Sequence, residues 1–192
     1  MDKLERFSRA VDTLNRLIGR ATVWLILASI VVSAGNAVMR KFFGLASNFW
    51  LEGQWHLYAA AFLCAGGYVL LVDKHVRVDV LSQRFAPRLR AWLDLAVLLL
   101  VVLPVCALLV SLGGGLALNA WRIGETSWHP GGPLHWPVLA CIPLGFGLLG
   151  LQALSEAIKR AGFLLGRREK ASLVEADLPE FFGVPATRRA SP

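Results

Sequence analysis

Charge is scarce in this chain and unevenly signed. Only 17% of its residues are Asp, Glu, Lys or Arg, and 20 basic side chains outnumber 13 acidic ones. Set against 56% hydrophobic residues, that shortage excludes a water-soluble domain of 192 residues, which could not cover its own surface. Cysteine is nearly absent too. Cys64, Cys106 and Cys141 lie inside apolar runs without CxxC spacing, so they read as small packing residues, with neither a disulfide nor a metal implied. The chain also lacks a glycine-rich phosphate loop, HExxH, GxSxG and any nucleophile–base pair. Nothing here points to an enzyme, a cofactor or a bound metal.

What the chain has is length of apolar sequence. Four windows, roughly Ala21–Met39, Trp50–Val72, Ala91–Leu112 and Trp136–Ile158, each approach the ~20 residues that cross a bilayer. They predict an all-α integral membrane protein with four transmembrane helices. The net charge of +7 is distributed by topology: the segments outside the windows hold five, two, five, one and seven Lys and Arg in turn. By the positive-inside rule, both termini and the loop after the second window face the cytoplasm of a multi-pass inner-membrane protein. A nucleic-acid partner does not follow from basic residues arranged this way.

The chain divides into residues 1–20, 21–165 and 166–192. In the first part Leu4, Phe7, Val11, Leu14 and Ile18 recur at steps of three and four among Lys3, Arg6, Arg9, Asp12 and Arg16. This predicts an amphipathic helix lying at the cytoplasmic interface, with membrane lipid as its partner. The charged prelude and the Met39-Arg40-Lys41-Phe42-Phe43 continuation favour a retained anchor over a cleaved signal. The last part is polar and punctuated by proline, and reads as a cytoplasmic tail of low order.

Between them the stretch Glu52–Leu81 reads as the organising element, a membrane-crossing helix with polar residues at both ends. Ala60, Cys64 and Gly67, and Ala61 with Ala65, give it small faces for helix packing. Ser29, Ser33 and Asn36 share a face of the first span, which lipid cannot satisfy and which must meet protein. In the third span Pro87 opens the helix, Asp94 reaches toward Arg90, Pro104 introduces a kink, and Gly113-Gly114-Gly115 ends or loosens it. A long external connection then runs from Leu116 to Trp136, with Trp121, Trp128 and Trp136 suited to the headgroup layer.

Two other classes compete. Four histidines invite a haem-bearing electron carrier, but His56 and His75 stand roughly 28 Å apart on one helix, leaving only His56 with His129 or His135. A self-sufficient small transporter or channel would need more polarity within its spans than Ser29, Ser33, Asn36, Asp94 and Ser111 provide. The chain is expected to work with something larger.

The polar ends carry a resemblance. Glu52 followed by an aromatic, small-residue helix and His75-Val76-Arg77-Val78-Asp79 resembles the small membrane subunit, DctQ type, of tripartite ATP-independent periplasmic (TRAP) transporters. Gly124-Glu125-Thr126-Ser127, Pro130-Gly131-Gly132-Pro133, Trp136-Pro137 and Ile142-Pro143-Leu144-Gly145 are similar to that family's external loop entering its last helix. The run Ala59-Ala60-Ala61 departs from it, since bulkier residues are expected there. The resemblance covers about residues 15–162. It implies a large multispanning membrane subunit and a periplasmic solute-binding protein as partners. It also implies sodium-coupled symport of an organic acid or related carboxylate solute, and a scaffolding role for the small subunit. His75, Arg77 and Asp79 then become a cytoplasmic contact or ion-pair cluster. Glu52, Glu125, Ser127 and Trp128 become candidates for an external interface.

Overall fold

The helix on which the others assemble is the last one. The computed structural model describes residues 2–45, 47–72 and 87–165. Its elements are α1 (Asp2–Phe43), α2 (Asn48–Leu71), α3 and α4 (Trp136–Leu164), where α3 joins Pro87–Val97, a π-helical turn Leu98–Val102 and Leu103–Ile123. α4 packs against all three other helices, α1 and α2 pack on each other, and α3 leans on α4. The expectation that the helix beginning near Glu52 organises the bundle is therefore corrected. Small and polar residues make α4 the hub: Gly145, Gln152, Ala153, Ser155, Glu156 and Ala157 are all buried on it. Leu70, Leu98, Ala153 and Ala157 form the apolar core, with Leu95, Val102, Leu103 and Leu149 packed around them.

α1 is one helix of 42 residues, about 63 Å long, with no proline to interrupt it. The amphipathic segment expected over residues 1–20 is not a separate element but the first half of this helix. Gly44, at φ 64, takes the left-handed position that ends it. α1, α3 and α4 are long and apolar enough to cross a membrane. α2 has 24 residues and holds Glu52, Gln54 and His56 in its first turns.

Two close approaches fix the packing of α2. A methyl at Gly67 would overlap Asn15 Oδ1 of α1, and one at Gly145 of α4 would lie 2.6 Å from the Leu63 carbonyl oxygen. Of the expected small face, Gly67 is buried, while Ala60 and Cys64 are half-buried. Van der Waals contact at such crossings is what holds helices together where no hydrophobic driving force separates them from lipid.

α3 departs from expectation at its outer end. It continues through Gly113-Gly114-Gly115 to Ile123, because Gly113 is covered by Ile142 and Pro143, and the helix stops instead at Gly124, φ 62. The external connection is correspondingly short, residues 124–135. Before Pro104, where a kink is expected, the helix has a π turn in which Leu103 N–H bonds to Leu98 O. The buried residues Ala91, Leu98, Cys106, Gly113 and Ala120 are spaced seven, eight, seven and seven apart. The single interval of eight contains the π turn. One added residue in the wider turn keeps both halves of α3 facing α4.

Candidate functional site

Polar side chains gather at the two ends of the bundle. At the end where α2 begins, Glu52 is 5% exposed although it is a carboxylate. Its Oε1 accepts a hydrogen bond from Ser127 Oγ at 2.5 Å and meets His129 Nδ1 at 2.8 Å. The loop that brings them is built like a short hairpin. Thr126 bridges Leu134, Ser127 N–H donates to Pro133 O at 3.1 Å, and His135 N–H donates to Glu125 O at 2.9 Å. Gly131, at φ 74, turns the tip, and Asn48 Nδ2 at the head of α2 donates to Pro130 O at 3.1 Å. A buried carboxylate is tolerable when such donors replace water.

Serine, histidine and glutamate are the components of a hydrolytic triad, yet the arrangement cannot act as one. Ser127 and His129 share the same carboxylate oxygen, and Ser127 Oγ gives its proton to Glu52. No imidazole lies between hydroxyl and carboxylate to accept that proton, so the serine is not activated. The arrangement fastens a loop to a helix.

Of the other residues expected at this end, Trp128 stands 91% exposed on the loop. Glu125 is half-buried, with its backbone held by Ala120 and His135 and its carboxylate in no ion pair among the described residues. His56 and His135 come together edge to face, ring centroids 6.0 Å apart, whereas His129 turns to Glu52. Ser29 Oγ donates to Gln54 O at 3.0 Å, joining α1 to α2, while Ser33 is exposed and Asn36 half-buried. The expected common face of Ser29, Ser33 and Asn36 is thus used by the bundle only at Ser29. His75, Arg77 and Asp79 lie outside the described residues.

The opposite end holds a network that the sequence reading missed. Asn15 and Gln152 are fully buried, and Asn15 Nδ2 donates to Gln152 Oε1 at 2.9 Å. Gln152 Nε2 donates to Asp12 Oδ1 at 2.9 Å, and Ser155 Oγ reaches the same oxygen at 2.9 Å. With that proton committed, Ser8 supplies the hydrogen for its 2.7 Å contact with Ser155 Oγ. Lys159 bridges Asp12 and Glu156 at 2.7 and 2.8 Å, and Arg160 bridges Glu156 and Asp94 at 2.6 and 3.2 Å. Asp94, expected to reach toward Arg90, is thereby tied to α4 through Arg160. The signal was present: Ser8, Asp12 and Asn15 sit at i, i+4 and i+7, as do Gln152, Glu156 and Lys159. Of the apolar stripe, Leu4, Phe7 and Leu14 are exposed, Ile18 is half-buried and Val11 is buried, and the polar stripe is the one that α4 covers.

A family model described as "Tripartite ATP-independent periplasmic transporters, DctQ component" matches residues 29–162. The chain belongs to the DctQ family. No curated protein and no solved structure matches it. As a DctQ component it is a small permease subunit of a TRAP transporter, a multi-pass membrane protein and not an enzyme. The family implies association with a large membrane subunit and a solute-binding protein. The matched region contains the whole Glu52–Ser127–His129 fastening. It also contains the α4 half of the opposite network, but not Ser8, Asp12 or Asn15 of this DctQ chain.

Proposed function

We propose that this subunit is a scaffold with four membrane crossings and both termini cytoplasmic, holding the large multispanning subunit in place. Together they import an organic acid or related carboxylate solute, delivered by the periplasmic binding protein and driven by sodium. The observation that supports this reading is the contrast between a bundle tied by polar contacts at both ends and broad apolar faces left open. On α3, Leu100, Leu108, Leu112 and Leu116 are all exposed. The fourth crossing in this reading is α2, supported by its packing on both α1 and α4. The lysine- and arginine-rich segments then fall on one side.

In this arrangement Glu52 and Ser127 hold the periplasmic loop, which presents Trp128 and Glu125 to the binding protein. Ser33 and Asn36 of α1, with Ala60 and Cys64 of α2, offer packing and hydrogen bonding to the large subunit. His75, Arg77 and Asp79 contribute the cytoplasmic part of that contact. Affinity purification from the native membrane in mild detergent, with mass spectrometry, tests the reading. A roughly stoichiometric multispanning protein should accompany the chain, and the pair in liposomes should take up solute only with binding protein and a sodium gradient. Recovery of the chain alone as a defined homo-oligomer active by itself would overturn it.

A further inference from the structure

The first half of α1 stands clear of the bilayer, yet one of its faces is apolar. The long apolar run of this unbroken helix begins at Ala21, so Phe7 and Leu4 lie about 21 and 26 Å from that boundary along the axis. Ser8 and Asn15 hold the segment to Ser155 and Gln152 of α4, which keeps it from lying down on the membrane. Leu4, Phe7, Leu14 and Leu17 are nevertheless exposed. At about 100° per residue, Arg6, Arg9, Arg16 and Arg20 fill an adjoining arc of roughly 80°. Arg6, Arg9 and Arg20 are exposed and Arg16 is half-buried, and the four are in no ion pair among the described residues. An apolar stripe in water, rimmed by charge, marks a surface that something covers.

We propose that residues 173–184 of the same chain, in the tail that follows α4, dock on this surface. They lie outside the described residues, and their sequence, LVEADLPEFFGV, complements it in both respects. Leu173, Val174, Leu178, Phe181, Phe182 and Val184 suit the apolar stripe, and Glu175, Asp177 and Glu180 suit the arginines. No Lys or Arg falls between Lys170 and Arg188, so the chain's densest run of acidic residues lies here, in a protein of net charge +7. The geometry of the bundle puts the two within reach. Ser8 meets Ser155 and Asn15 meets Gln152, so α1 and α4 run in opposite directions, and α4 leaves the bundle on the side where α1 begins. From Ser155 to Leu165, which caps α4, the helix advances about 15 Å. Leu173 lies eight peptide units further on, a reach of up to about 28 Å. The chain can therefore return to the level of Phe7, about 14 Å back, and the residues that follow Leu173 can lie along the stripe. A segment tethered this closely meets its surface at an effective concentration in the millimolar range, an advantage that a separate protein or a second copy lacks.

Benzoylphenylalanine in place of Phe7, in the full chain in its native membrane, provides the test. After illumination the captured peptides are identified by mass spectrometry. The product should run at the mass of one chain, with its crosslinks inside residues 173–184. The same probe in place of Trp24, which is exposed beyond the start of the apolar run, should not capture the tail. Glu175→Lys, Asp177→Lys and Glu180→Lys together should lower the yield at Phe7 about fivefold, the scale of a few exposed ion pairs. High salt should lower it in the parent chain as well. Adding Arg6→Glu and Arg9→Glu to the triple variant should restore the yield, which a merely unfolded tail variant would not do. Absence of residues 173–184 from the products at Phe7 overturns the proposal, whether lipid, the large subunit, a second copy or nothing is captured instead. A yield indifferent to the charge reversal overturns it too.

Discussion

Glu52 Oε1 and His129 Nδ1 lie 2.8 Å apart although 77 residues separate them in the chain. Ser127 donates to the same oxygen. Glu52→Gln keeps the size of the side chain and removes the charge that these donors serve. The hydrogen bonds it weakens are charge-assisted ones, so a loss of stability is expected. It should appear as faster hydrogen exchange across residues 124–135 and a lower melting temperature. Ser127→Ala should give a smaller change of the same kind. Unaltered exchange in Glu52→Gln would show that the loop is held by its own hairpin bonds.

Lys159 stands between Asp12 and Glu156, and all three side chains are largely withdrawn from solvent. Lys159→Met takes away the cation that faces Asp12, while Glu156 keeps Arg160, so it should destabilise the subunit by roughly 3 kcal/mol. Asp12→Asn in the same chain should restore part of that loss. A melting-temperature cycle over the two single variants and the double one measures the coupling. Strictly additive losses would mean that the pair is not a unit.

Adjacent glycines offer a controlled comparison. A methyl at Gly67 meets Asn15 Oδ1, while one at Gly66 meets nothing within 4 Å. Gly67→Ala should cost about 1–3 kcal/mol through forced separation of α1 and α2. Gly66→Ala should fold and assemble as the parent does. Yield and melting temperature of the two purified variants decide the matter.

Trp128 is exposed on a loop that is itself fastened at Glu52. Trp128→Ala should leave the melting temperature unchanged while lowering binding-protein-dependent uptake about fivefold or more, the effect of losing an interface tryptophan. Reconstituted uptake at varied binding-protein concentration tests it, and an unchanged dependence would remove the proposed external contact.

Much of this was readable from residue order. Ala21–Met39 and Trp136–Ile158 lie within observed helices, and Glu52 and Ser127 carried a resemblance that the family match bears out. Hydropathy windows report how far apolar sequence extends, however, and not which side of a helix is covered. Over residues 2–20 the apolar stripe reads as a face for lipid, and it gives no sign that the polar stripe beside it is covered by α4, since in a membrane the buried side can be the polar one. Likewise Gly113 gave no hint that Ile142 would cover it, because a glycine run weakens a helix only where nothing packs on it. The partnership of Glu52 with His129 depends on the fold of a loop whose tip only the turn at Gly131 sets.

The π turn at Leu98–Val102 means that α3 carries a spare residue. Shortening the chain there by one would let an ordinary helix run from Ala91 to Ala120 with its α4-facing seam still in step. Lengthening it by one would throw the two halves about 100° out of step. The shortened helix would then present Pro104 to a turn of normal width, where its ring collides with the carbonyl four residues back. Insertion and proline are therefore a matched pair, and this part of α3 should accept the loss of a residue only when Pro104 is replaced as well.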